Sequence, residues 1–248
     1  MKFTHLIASG ALFLSASAFA ADAPAHWSYE GAHGPANWSK LQSDFSACKL
    51  GHQQSPIDIV KTKKENLPAL AFAYQPSPLK IIDNGHTIQV NYAAGSGVTI
   101  DGVRYELLQF HFHTPSEERI KGRNYPLVAH LVHRNAEGRL AVVAVLFRKG
   151  AENPLIGTVW NALPKEKGRQ QEPEGVSIDI ASLLPQAQGY YNFPGSLTTP
   201  PCSEEVNWFV LKQPVELSDA QLKRFTQLYR HNARPVQPLN GRTVLESE

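Results

Sequence analysis

The chain is poor in sulfur and in net charge, and it lacks apolar runs long enough to cross a bilayer. Its 248 residues include two cysteines, Cys48 and Cys202, and one methionine. Two thiols are too few for a thiolate metal cluster. The 24 Lys and Arg against 22 Asp and Glu leave a formal charge of +2, and the basic residues are not gathered into a patch. That excludes nucleic acid as the main partner, because phosphate recognition needs concentrated positive charge. No segment reaches the roughly 20 consecutive apolar residues that span a membrane. No internal repeat, low-complexity tract or long linker divides the chain, so a single domain with a sizeable core is expected.

What is present begins with an export pattern. Lys2 gives a positive end, Leu6–Leu14 a mostly apolar middle, and Ala18-Phe19-Ala20 a small-x-small cleavage site. Residues 1–20 are therefore expected to be a signal peptide and 21–248 the mature domain, placed in the periplasm. In an exported protein the two cysteines are expected to pair as a Cys48–Cys202 disulfide.

The mature chain reads mainly as strand. Leu79–Ile82 and His86–Tyr92 form a hairpin through Asp83-Asn84-Gly85, and Val98–Ile100 with Tyr105–His113 form another through Asp101-Gly102. Leu140–Arg148 is apolar almost throughout, as a strand buried on both faces would be. Two helices are predicted. One starts at Asn153-Pro154; the other spans Ser218–His231, where Ser218 and Gln221 fit a capping box. Ala21–Gly51 shows no sustained periodicity and is expected to be irregular, packed by its aromatic rings.

The stretch Gln109–His133, QFHFHTPSEERIKGRNYPLVAHLVH, carries the chemistry. His111 and His113 alternate with Phe110 and Phe112, so in a strand both imidazoles leave one face and both phenyl rings the other. After a break at Thr114–Asn124, a second strand, Tyr125–His133, brings His130 and His133. Three neutral imidazoles with a fourth position left to water make a catalytic zinc site. On this pattern alone, a metal centre and a set of ordinary core or surface histidines both remain open.

Further motifs follow in order: SE at Ser116-Glu117, HLVH at His130–His133, GSLTTPPC at Gly195–Cys202 and RPVQPLN at Arg234–Asn240. Together with QFHFH they resemble the α-class carbonic anhydrases over nearly the whole mature chain, especially the exported bacterial members. The fold so implied is mainly β (α+β). It is a single domain around a large, twisted, mostly antiparallel sheet of about ten strands with a few short peripheral helices.

The resemblance implies reversible hydration of CO2 to bicarbonate by zinc-bound hydroxide. His111, His113 and His130 match the metal ligands, and His133 falls on the opposite face as a structural residue. Glu117 and Thr198 match the pair that orients the nucleophile, and Val132, Val142, Leu197, Thr199 and Trp208 match the substrate pocket. His86 matches a proton shuttle, and Tyr29, Asn84 and Gln89 the polar lining beside it. Gln109 and Asn232 match the groups that hold His111 and His113. Binding of sulfonamide- or anion-type inhibitors is implied, and a homodimer is compatible with the family.

Two positions depart from the family. Val128 stands where a Glu normally supports the third ligand, and Glu118 stands where His or Asn normally follows the buried glutamate. Glu118 is expected to take over the partner role for His130; otherwise it faces solvent, or His130 has lost its anion. Two other classes are weighed. A non-catalytic zinc- or ligand-binding protein on the same fold would follow if Val128 disables the site. A copper/zinc oxidoreductase would need a bridging His and an Asp ligand, and no fourth ligand stands at suitable spacing.

Overall fold

The computed structural model describes residues 26–248, so the predicted signal segment, 1–20, lies outside the described residues. A twelve-stranded sheet dominates. Nine of its strands form one continuous path and are labelled in chain order. They are β1 (Lys63–Glu65), β2 (Lys80–Asp83), β3 (Ile88–Asn91), β4 (Val103–His113), β5 (Leu127–Arg134), β6 (Leu140–Lys149), β7 (Tyr190–Gly195), β8 (Val206–Leu211) and β9 (Leu245–Ser247). Across the sheet they run β1-β9-β7-β8-β6-β5-β4-β3-β2. Most neighbours are antiparallel, but β6 pairs parallel with β8 and β9 with β1. The apolar run of β6 is buried from Ala141 to Phe147, as a strand covered on both faces requires.

Each face of the sheet carries its own core. On one side Phe110, Phe112, Leu131, Val143 and Val145 pack with Trp160 and Phe225. The last two come from helices α1 (Pro154–Asn161) and α2 (Asp219–Leu228). The Phe112 and Trp160 ring centroids are 4.8 Å apart. Both helix starts follow their local chemistry. The Asn153 side chain accepts from the Ile156 N–H, and Ser218 and Gln221 form the reciprocal capping box. On the other side lies a smaller cluster including Val128, Val132, Val142, Leu146, Phe193 and Trp208.

Three sequence expectations are refined. The sheet is larger than about ten strands because short segments such as Ala71–Ala73 and β9 join its margins. His86 lies in the Asn84–Thr87 loop rather than in a strand. There the Asn84 side chain accepts from the N–H groups of both His86 and Thr87, and Gly85 adopts φ +88°, a conformation that favours glycine. The irregular N-terminal segment contains two single-turn helices, Trp38–Leu41 and Ala47–Leu50. It packs through Trp38, whose ring is fully buried against Trp27 and Tyr29. Cys48 and Cys202 form the expected disulfide.

Candidate metal centre

Strand alternation and pairing register build the site. His130 of β5 lies opposite His111 of β4, and Val128 opposite His113. The imidazoles of His111, His113 and His130 converge, each offering a nitrogen within 4.8 Å of the others. Phe110 and Phe112 point into the opposite core. His133 follows a register shift between Val132 and His133. It bonds the Tyr74 hydroxyl at 2.8 Å, away from the triad.

Neighbours set the tautomers. His111 Nδ1 lies 2.9 Å from Gln109 Oε1, and His113 Nδ1 lies 2.7 Å from the Asn232 carbonyl. Each Nδ1 must therefore donate, which leaves the Nε2 lone pairs free. His130 Nε2 sits 3.0 Å from Glu118 Oε1, leaving its Nδ1 to the cluster. The buried Nε2 of His113 has no protein hydrogen-bond partner. An orphaned lone pair of this kind is costly unless a further group binds it, so the donor set fits a divalent metal.

Electrostatics agree with that fit. Burial, with His130 nearby, pulls His111 down to about 3, and burial pulls His113 well below the usual range. Both rings are thus neutral, the form that ligates. For His130 burial acts downward too, but the Glu118 and Glu117 carboxylates outweigh it and the net shift is upward. Burial pushes Glu117 up to about 7. His130 opposes that shift and Glu118 adds to it, while the Arg234 N–H and Thr198 pull it back. The Arg234 N–H reaches Glu117 Oε1 at 2.7 Å. Thr198 is close enough to act on this carboxyl, although Glu117 Oε2 has no aligned hydrogen bond.

The Thr198 loop is firmly held. Ser196 and Ser55 exchange hydrogen bonds, the Cys202 N–H donates to the Thr199 carbonyl at 2.8 Å, and the disulfide ties Cys202 to Cys48. Trp208 Nε1 donates to the Ser196 carbonyl at 3.0 Å. The Trp208 ring stands 4.9 Å from that of His130, and Val132 and Val142 share its apolar cluster with Leu197 against it. At the rim the half-buried His86 ring stacks on Trp27 at 3.6 Å. Asn84 donates to Gln89 at 3.3 Å. Tyr29 feels the charge of Glu117, which adds to the upward pull of burial on its hydroxyl.

Two contributions escape the sequence reading. Buried Arg234 does more than hold Glu117 through its N–H. Its guanidinium donates to Gln54, Ser55 and Cys48, so the N-terminal segment and the site share one anchor. Asn232, expected to act through its carbonyl, also donates through its side chain to the carbonyls of His86 and Phe112. The only signal for either was the motif-bearing run around RPVQPLN.

Three imidazoles converging beside an apolar wall, with no cysteine among them, fit a catalytic rather than a structural metal site. The model of eukaryotic-type carbonic anhydrases matches residues 33–248. A carbonic anhydrase of Pectobacterium atrosepticum is 46% identical over 95% of this chain and 97% of that protein. One from Klebsiella pneumoniae is 47% identical over 89% and 91%. The solved α-carbonic anhydrase of Thermovibrio ammonificans, in complex with sulfanilamide, superposes with a TM-score of 0.87. It is 43% identical, over 90% of this chain and all of that one. The chain belongs to the eukaryotic-type (α-class) carbonic anhydrase family and is an enzyme of reversible CO2 hydration.

Proposed function

We propose that the resident metal is zinc, held by His111, His113 and His130, and that His86 relays the product proton. An all-imidazole donor set supports zinc over calcium or magnesium, which prefer oxygen ligands. When bound, zinc supplies the acidity that brings a water to a pKa of about 7, the value for which carbonic anhydrase is the type example. The remaining work falls to the chain. Glu117 ionises beside a dication and can then only accept, which obliges the Thr198 hydroxyl to donate to it. The Thr198 oxygen must in turn accept from the nucleophile, turning a nucleophile lone pair toward substrate. Its backbone N–H can stabilise the developing oxygen anion.

CO2 offers no charge to grip, so Val132, Val142, Leu197 and Trp208 receive it as an apolar wall, with Thr199 beside them. His86 is half-buried, and burial together with nearby His26 lowers its pKa. A lowered pKa makes it readier to release a proton to bulk water. Asn84, Gln89 and Tyr29 order the water between it and the site. The Thermovibrio complex with sulfanilamide supports binding of sulfonamide anions in the same pocket. The N-terminal export pattern and the disulfide support a periplasmic location, and no helix among the described residues is long and apolar enough to cross a membrane.

The observation that carries this reading is the converged triad with the orphaned His113 Nε2. Elemental analysis with stopped-flow CO2 hydration, before and after chelation, tests it. Stoichiometric zinc and chelator-sensitive turnover are expected; turnover that survives complete removal of metal would overturn it.

A further inference from the structure

The strand position two residues before His130 is apolar in this chain. Val128 shares a face with His130 and is fully buried in the cluster that contains Ile59 and Leu146. No carboxylate reaches the third imidazole from its own strand. One reaches it from elsewhere: Glu118, fully buried, places Oε1 3.0 Å from His130 Nε2. The 3.0 Å approach is a close ionic contact; neither Glu118 oxygen nor His130 Nε2 makes an aligned hydrogen bond to any protein group. A carboxylate removed from water without a compensating cation or donor is strongly disfavoured, and His130 is the neighbour that offers one.

The backbone is built to deliver it. The Ser116 hydroxyl donates to the Glu118 carbonyl at 2.7 Å and accepts from the Tyr125 N–H at 2.9 Å. The Ser116 N–H donates to the Tyr125 carbonyl. This clamps the turn after β4 against the start of β5. Thr114 adds a second tie, its hydroxyl donating to the Pro126 carbonyl at 2.9 Å.

We propose that Glu118 is the positioning residue of His130, a carboxylate transposed from the strand to the preceding loop. It fixes the Nε2–H tautomer so that Nδ1 faces the metal. One clamped turn thereby serves both halves of the site: Glu117 orders Thr198, and Glu118 orders the third ligand. This inference rests on the metal-centre reading above.

Zinc affinity, measured by competition with a chromophoric chelator, and the zinc dissociation rate test it in folded protein checked by near-ultraviolet circular dichroism. Glu118→Gln keeps the shape and removes the charge, and it should weaken zinc binding and speed its loss. Glu118→Ala should cost about 10–100-fold in affinity. Val128→Glu alone should weaken binding, because two buried carboxylates then crowd one imidazole. The same change on a Glu118→Asn background should recover affinity. Parent-like zinc affinity and exchange in both Glu118→Gln and Glu118→Ala would overturn the proposal, as would Val128→Glu deepening the Glu118→Asn loss in folded protein. Failure of the metal-centre reading is distinguishable: the unaltered protein would then hold no zinc, or His111→Ala would leave its affinity unchanged.

Discussion

The two faces of the β4–β5 pair are made from alternate residues of the same two strands and serve opposite ends. On one face Phe110, Phe112 and Leu131 are fully buried in a continuous apolar core under α1 and α2. On the other, His111, His113 and His130 converge in a largely buried pocket, and the Nε2 of His113 has no protein partner. The first face gains from leaving water; the second loses by it, and gains only when a metal and its partners supply what water did. A strand period of two lets stability and chemistry sit one residue apart without mixing.

The comparison predicts that the two faces fail differently. The largest expected effect is on the histidine face. His113→Ala should abolish zinc retention and reduce CO2 hydration to the uncatalysed background. Metal-free melting should fall by less than in a core truncation, because loss of the hydrogen bond to the Asn232 carbonyl is partly offset by removal of the unpaired Nε2; a drop in metal-free Tm as large as that of a core truncation would show that the face is structural.

Phe112→Ala should do the reverse. Removing a fully buried ring costs about 3–5 kcal/mol. For a domain of this size that is a fall in Tm of roughly 6–20 °C, with kcat/KM near the parent value well below the melting range. Calorimetry with parallel kinetics separates these outcomes. Selective loss of activity in folded Phe112→Ala would break the division between the faces.

A smaller effect is expected at the rim. His86→Ala should lower maximal turnover by roughly 10-fold while leaving kcat/KM intact, with imidazole buffer restoring part of the loss. Unchanged turnover would remove the relay.

The smallest effect sharpens the comparison, because His133 is a histidine of the same strand that serves structure. Burial lowers its pKa to about 4, below the usual value of about 6.5. The unfolded chain takes up this proton as pH falls through about 6.5, while the folded chain resists until about 4. The stability that neutral His133 contributes is complete above that window and is lost as pH falls through it, by up to roughly 1.4 kcal/mol per pH unit. Urea midpoints of metal-free protein at several pH values should therefore fall less steeply in His133→Gln than in the parent. Equal slopes would contradict the assignment.

Much of this was legible in residues that carry a strong local pattern. The His/Phe alternation of β4, the unbroken apolar run of β6 and the Ser218–Gln221 capping box each specify their element from within. The three-residue margins do not: Lys63–Glu65 and Leu245–Ser247 become strands because each meets the other, far apart in the chain. The same holds at the site. His111 and His113 were readable from spacing, whereas the burial of Glu118 against His130 depends on how the turn after β4 folds back under β5. His86 left its predicted strand because Asn84 spends its side chain capping the loop.

The most direct measurement is anomalous diffraction at the zinc edge from crystals of the metal-loaded protein. The account predicts one peak within bonding distance of His111 Nε2, His113 Nε2 and His130 Nδ1, with His130 Nε2 still against Glu118. A peak bound by His133, or no peak within reach of the triad, would contradict it.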